Sequence, residues 1–127
     1  MARFSIDPQA SSIALRAIVE GNVPRIVTLI LDTGASYTQL PWRVLHAIGS
    51  GPKPGAGIIK VVTSSGVELP PLAKVKKLHA FGKSVDDLEL LCHDLPPEAK
   101  VDGLLGLNFL RRFNIAIRFK DGIIEVD

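Results

Sequence analysis

Along residues 13–19 apolar side chains recur at every second position: Ile13, Leu15, Ala17 and Val19. A period of two places them on one face of a pleated strand. Gly21-Asn22 reads as a turn. Residues 25–31 then predict a second strand, and the two together a hairpin. The second strand ends in the continuous apolar run Leu29-Ile30-Leu31, which suggests burial on both faces. Asp32-Thr33-Gly34-Ala35-Ser36 breaks the pattern abruptly. Residues 41–48 predict a short helix, with Pro41 at its first position and Gly49 capping its C-terminal end.

The glycine- and proline-rich residues 49–57 predict a loop. Residues 58–63 read as a strand, Ser64-Ser65-Gly66 as a turn, and residues from 67 as the return strand. Pro70-Pro71 interrupts that return and places it at an edge or a bend. Residues 72–80 and 85–92 predict two further strands joined through Phe81-Gly82-Lys83. Pro96-Pro97 marks a loop, and residues 107–113 a second short helix. Residues 115–119 and 123–126 flank Lys120-Asp121-Gly122, a hairpin signal. The expectation is one all-β domain over residues 1–127 with one or two short helices. No linker divides it, and no solenoid repeat is present.

Composition leaves this picture intact. With 127 residues, 46% hydrophobic and 22% charged, the chain suits a single globular domain. The net charge is only +2. Lys74, Lys76 and Lys77 form the densest basic cluster, without interleaved aromatics, so a solvated strand face is expected and nucleic-acid binding is not. Cys92 is the only cysteine. No intrachain disulfide can form, which fits a reducing compartment such as the cytoplasm. Met1-Ala2-Arg3-Phe4-Ser5 has no signal-peptide character, and no apolar run reaches the roughly 20 residues that span a bilayer. A soluble piece of a longer membrane-anchored parent is equally compatible with these features.

Chemistry concentrates at Asp32. A carboxylate directly after a buried apolar strand is a poor continuation of a core. Thr33 brings a hydroxyl, and Gly34 lets backbone approach the carboxylate, so that its N–H can donate to the charged form. From this spacing alone two readings stand: a functional carboxylate, or an Asx-turn that merely closes a loop. A second feature, Leu104-Leu105-Gly106 leading into Leu107-Asn108-Phe109-Leu110, shifts the balance.

Together, the early hydrophobic-Asp-Thr-Gly-Ala-Ser and the late Leu-Leu-Gly-x-x-Phe-Leu resemble the single-domain, retropepsin-like aspartic peptidases. The resemblance extends from about residue 13 to residue 126. It implies a closed acid-protease barrel with a flap hairpin. Asp32 matches the catalytic aspartate. Thr33 matches the threonine that bonds across to a second subunit, and Gly34 the glycine that holds the carboxylates and meets substrate backbone. Ala35 and Ser36 continue that substrate-facing loop. Thr63, Ser64, Ser65 and Gly66 fall in the flap, and Leu104, Leu105 and Gly106 match the segment supporting the Asp loop. Viral members carry Asp where this chain has Ser36 and Arg where it has Leu107. Both halves of that ion pair are replaced, as in bacterial and cellular relatives.

The mechanism implied needs two carboxylates, one ionised and one protonated, and this chain has a single Asp-Thr-Gly. Asp102-Gly103 and Asp121-Gly122 lack both the threonine and the preceding apolar strand. They read as a loop and a hairpin turn. The resemblance therefore implies a homodimer acting on protein or peptide substrates, with residues 123–126 as a bare edge strand available for pairing. The alternative is a catalytically silent dimerisation or peptide-binding module on the same fold. No metal and no cofactor is expected. His46, His79 and His93 are scattered, and Cys92-His93 are adjacent, so they point to opposite faces. Residues 51–57 lack the Gly-Lys-Ser/Thr of a P-loop, and Ser36 lacks the second glycine of a nucleophile elbow. Trp42 is expected to pack against the barrel or to line a subsite.

Overall fold

The computed structural model describes residues 1–127. Its elements run β1 (Ala2–Ser5), β2 (Ala14–Glu20), β3 (Pro24–Leu31), β4 (Gln39–Leu40), α1 (Trp42–Ala47), β5 (Val61–Thr63), β6 (Gly66–Glu68), β7 (Leu72–Ala80), β8 (Lys83–Cys92), a 3-10 turn (Pro97–Ala99), β9 (Gly103–Leu105), α2 (Leu107–Leu110), β10 (Ile115–Arg118) and β11 (Ile123–Val126). Six strands close a barrel in the order β2-β3-β9-β4-β8-β7. The all-β barrel with two short helices is the architecture expected.

Alternation drives the barrel. In the β2–β3 hairpin Ala17 faces Val27 and Leu15 faces Leu29. Ala17, Val19, Val27 and Leu29 are buried, while the Ile18–Ile26 pair on the other face is exposed. Of the apolar run 29–31, only Leu29 is fully buried. Ile30 and Leu31 are half-buried, because no helix layer covers that stretch of the barrel wall. β9 lies parallel to β3, matching Leu29 to Gly103 and Leu31 to Leu105. On its other side β9 meets β4 at Gln39–Leu104, and β4 runs parallel to β8. A Cβ on Gly103 would come within 1.9 Å of the Gln39 carbonyl oxygen, so only glycine lets these strands approach.

Pro41 caps α1 from outside instead of occupying its first position, and Gly49 ends it at φ +75°. Val44, Leu45 and Ile48 pin the helix to the core. The β7–β8 turn has positive φ at both Phe81 and Gly82, the type I′ pattern. Phe81 tolerates this conformation because its ring is buried edge-on against Phe4, with centroids 5.4 Å apart. β8 accordingly begins at Lys83, earlier than residue 85.

Four further expectations are corrected. The strand predicted at 58–63 pairs only over Val61–Thr63, with Ile58 making an isolated bridge to Pro71. Gly66 opens the return strand opposite Thr63, at φ +137°, so Ser64 and Ser65 alone form the turn. The second helix stops at Leu110, and its predicted remainder folds as turns. Finally, β11 is not a bare edge. It is the middle strand of β1-β11-β10, because Ala2–Ser5, not expected as a strand, pairs along it.

Candidate active site

Asp32 sits where β3 leaves the barrel. Its N–H donates to the Leu105 carbonyl at 3.0 Å, so the parallel β3–β9 pairing extends up to the residue itself. The chain then turns back. Gly34 N–H donates to Asp32 Oδ1 at 2.8 Å, and Ala35 N–H to the Asp32 carbonyl at 3.2 Å. A Cβ on Gly34 would stand 3.2 Å from that Oδ1, tighter than side chains usually accept. The Gly34 N–H points at a carboxylate oxygen and fixes its orientation. Asp32 is half-buried, whereas Thr33, Gly34 and Ser36 are exposed. The Thr33 hydroxyl forms no hydrogen bond within the chain.

A second layer braces this loop from beneath. Leu107 N–H donates to the Ala35 carbonyl at 2.8 Å, and Asn108 N–H to the Ser36 carbonyl at 3.2 Å. Gly106 is wedged against the loop: a Cβ there would lie 2.5 Å from Tyr37 backbone atoms. The Thr38 hydroxyl accepts from Gly106 N–H at 3.1 Å and donates to Asn108 Oδ1 at 2.9 Å. Thr38 N–H donates to the same oxygen at 2.8 Å, while Asn108 Nδ2 donates to the Glu89 carbonyl. Leu105 is fully buried and Leu104 half-buried between Ile30 and Gln39. The structure thus brings Asp32, Gly34 and Ala35 together with Leu104, Leu105 and Gly106.

The hairpin carrying Thr63, Ser64, Ser65 and Gly66 stands apart. It is exposed, and its hydrogen bonds are internal, with Thr63 Oγ1 3.1 Å from both Ser65 Oγ and the Gly66 carbonyl. No hydrogen bond joins it to the Asp32 loop. A cavity of about 550 Å³ lies away from Asp32, between the 49–57 loop and the Lys74–Lys76 face of β7. Within one chain Asp32 occupies an open surface.

Thr38, Asn108 and Asp102 were missed as supporting residues. Asp102 is more than a loop residue: it accepts from Thr28 N–H at 2.8 Å and from the Arg43 guanidinium, tying β3 to α1. No periodicity marks such residues; their only sequence signal is a polar side chain beside a glycine or an apolar pair.

No three or more His, Cys, Asp or Glu side chains are grouped to hold an ion. His46 lies edge-on to Trp42, His79 pairs with Glu20, and His93 pairs with Glu68. Trp42 is 41% exposed and rests on His46 rather than in the core. Burial, and secondarily Asp94, pushes the Cys92 thiol up to about 11, so it is no thiolate nucleophile at neutral pH.

Residues 3–109 match the model of a protein family described as Aspartyl protease. No curated protein sequence shows significant similarity. Among solved structures, a retropepsin-like aspartic protease from Rickettsia conorii aligns with a TM-score of 0.69 at 19% identity, over 98% of this chain and 87% of the other. EIAV protease complexed with the inhibitor HBY-793 aligns at 0.62 and 17% identity, over 82% of this chain and 89% of the other. The retroviral protease-like domain of Ddi1 from Leishmania major aligns at 0.57 and 14% identity, over 94% and 90%. At these identities the likeness is one of fold. The retropepsin-like barrel expected from the sequence is the one observed.

Proposed function

The chain belongs to the aspartyl protease family, and on that premise we propose that it is an endopeptidase whose catalytic carboxylate is Asp32. One observation carries the reading. The Asp32 carboxylate is held by Gly34 N–H on a loop braced by Leu105, Gly106 and Asn108, yet the loop tip stays open to solvent. An Asx-turn has no need of this second layer.

Each chain supplies one such carboxylate, and the chemistry uses two. A homodimer brings the Asp32 side chains of two subunits face to face. Like charges at that distance do not both ionise cheaply, so the pair shares a proton. The ionised member takes a proton from water, which attacks the scissile carbonyl. The protonated member donates to the carbonyl oxygen, and proton return to the amide nitrogen expels the amine. Thr33 bonds across to the second subunit. Gly34, Ala35 and Ser36 line the peptide from one side, and Thr63, Ser64, Ser65 and Gly66 fold over it from the other.

The test is cleavage of a denatured protein by wild type beside Asp32→Asn, across pH and with sedimentation at the assay concentration. Asn keeps the shape and still accepts from Gly34 but cannot serve as base. Cleavage by a dimer, falling by about a hundredfold to ten-thousandfold in the variant, is expected, and chelators leave the activity unchanged. Equal cleavage by both proteins, or activity in a monomer, overturns the assignment. Substrate binding without cleavage supports a silent peptide-binding module instead.

A further inference from the structure

The β5–β6 hairpin pairs with no other strand; Val62 and Val67 point into water at 73% and 56% exposure, and only Val61 at its foot is half-buried among its valines. Nothing along its length sets its angle to the barrel, so its base must. Backbone ties occur only at its base: Ile59 N–H donates to the Pro70 carbonyl at 3.1 Å, Leu72 N–H to the Gly57 carbonyl at 2.7 Å, and Cys92 N–H of β8 to the Pro71 carbonyl at 2.9 Å. Pro70 and Pro71 have no N–H to add. One polar side-chain contact joins hairpin and barrel, the ion pair from Glu68 Oε2 at the end of β6 to His93 Nε2.

His93 is a firm anchor. Its N–H donates to the Leu40 carbonyl at 3.0 Å, and its carbonyl accepts from Gln39 Nε2 at 3.2 Å. Gln39 is the residue through which β4 meets Leu104 of β9, directly beneath the Asp32 loop. The imidazole thus links the hairpin to the framework that holds Asp32. Next along the chain, the Asp94 carboxylate accepts from Trp42 N–H, and the Cys92 thiol is buried.

We propose that Glu68 and His93 are positioning residues, a charge-dependent clamp that sets the flap over the substrate and loosens when the imidazole loses its proton. The proposal rests on the peptidase reading. The contact is an ion pair only while the imidazole carries its proton. With the imidazole neutral, only a hydrogen bond to the Glu68 carboxylate is left, the flap samples more orientations, and KM rises while the carboxylate chemistry is untouched. Both side chains are part-exposed, 35% and 42%, so water attenuates the pairing and the effect is modest.

Two readouts test this. At pH 5.5, Glu68→Gln and His93→Gln raise KM about two- to fivefold with little change in kcat, and both flatten the rise in KM between pH 5.5 and 7.5. The doubly exchanged Glu68→Lys/His93→Glu protein restores a low KM and keeps it at pH 7.5. Independently of any activity, amide hydrogen exchange over residues 61–68, corrected for intrinsic rates, speeds up above pH 7 in wild type and is uniformly fast in both single variants. If the wild type fails to cleave but shows this exchange pattern, the clamp stands and the peptidase reading falls. If it cleaves while exchange and KM in the single variants match wild type, the clamp is wrong.

Discussion

Thr38 and Asn108 lie seventy positions apart, yet the Thr38 N–H and hydroxyl both donate to the single Oδ1 of Asn108, at 2.8 and 2.9 Å. Thr38 is fully buried, so neither donor has water as a substitute. Asn108→Ala strands both, and also frees the Glu89 carbonyl. A loss of about 2–3 kcal/mol in urea unfolding is expected. Asn108→Asp keeps the acceptor for both Thr38 donors but turns a carboxylate oxygen towards the Glu89 carbonyl in place of the amide donor, so it recovers only part of the loss. Equal losses in the two variants refute the shared-acceptor account.

Gly106→Ala places a methyl 2.5 Å from the Tyr37 backbone, which the loop cannot vacate without moving Asp32. We expect at least about 3 kcal/mol of destabilisation, with activity lost. Gly55→Ala is the control: at φ +78° with nothing within 4 Å it meets only backbone strain of about 1 kcal/mol, whereas Gly106 at φ −99° meets only the clash. A Gly106→Ala protein as stable as the control contradicts the close crossing.

Ala35 follows the Asp-Thr-Gly directly, and its N–H bonds the Asp32 carbonyl. Ala35→Ser adds a hydroxyl able to donate to a charged carboxylate of the pair and so to favour ionisation. The wild type is expected to work best at roughly pH 4.5 to 6.5, and the acid limb of the variant's pH–rate profile to move to lower pH. An unmoved limb in a dimeric variant removes the hydrogen-bond argument while leaving Asp32 in place.

Cys92 is held as a neutral thiol, raised from 9.0 to about 11 by burial and then by Asp94. The unfolded chain releases this proton first, so between about pH 9 and 11 the native state binds more protons and stability falls as pH rises. Part of the alkaline loss in unfolding free energy should disappear in Cys92→Ala. Native protein at pH 8 should react with iodoacetamide far more slowly than urea-unfolded protein. Similar rates in both states rule out a buried thiol.

What the sequence determined is local. Period-two alternation in residues 13–19 marks a strand that exposes one face, and Gly49 marks a helix end because a positive φ suits it. Asp32-Thr33-Gly34 announced its own hydrogen bond, since that contact spans two residues. What the tertiary structure decided is long-range. Gln39–Leu40 and Gly103–Leu105 are too short to show any period, and they are strands only because β3 and β8 offer backbone partners far along the chain. Ala2–Ser5 takes its conformation from β11, more than a hundred residues away, and so turns an apparent edge into a sheet centre. Thr38, Asn108, Asp102 and the Glu68–His93 pair are polar residues whose partners lie on other strands. Their roles follow from barrel closure, which alone decides which distant donors and acceptors meet.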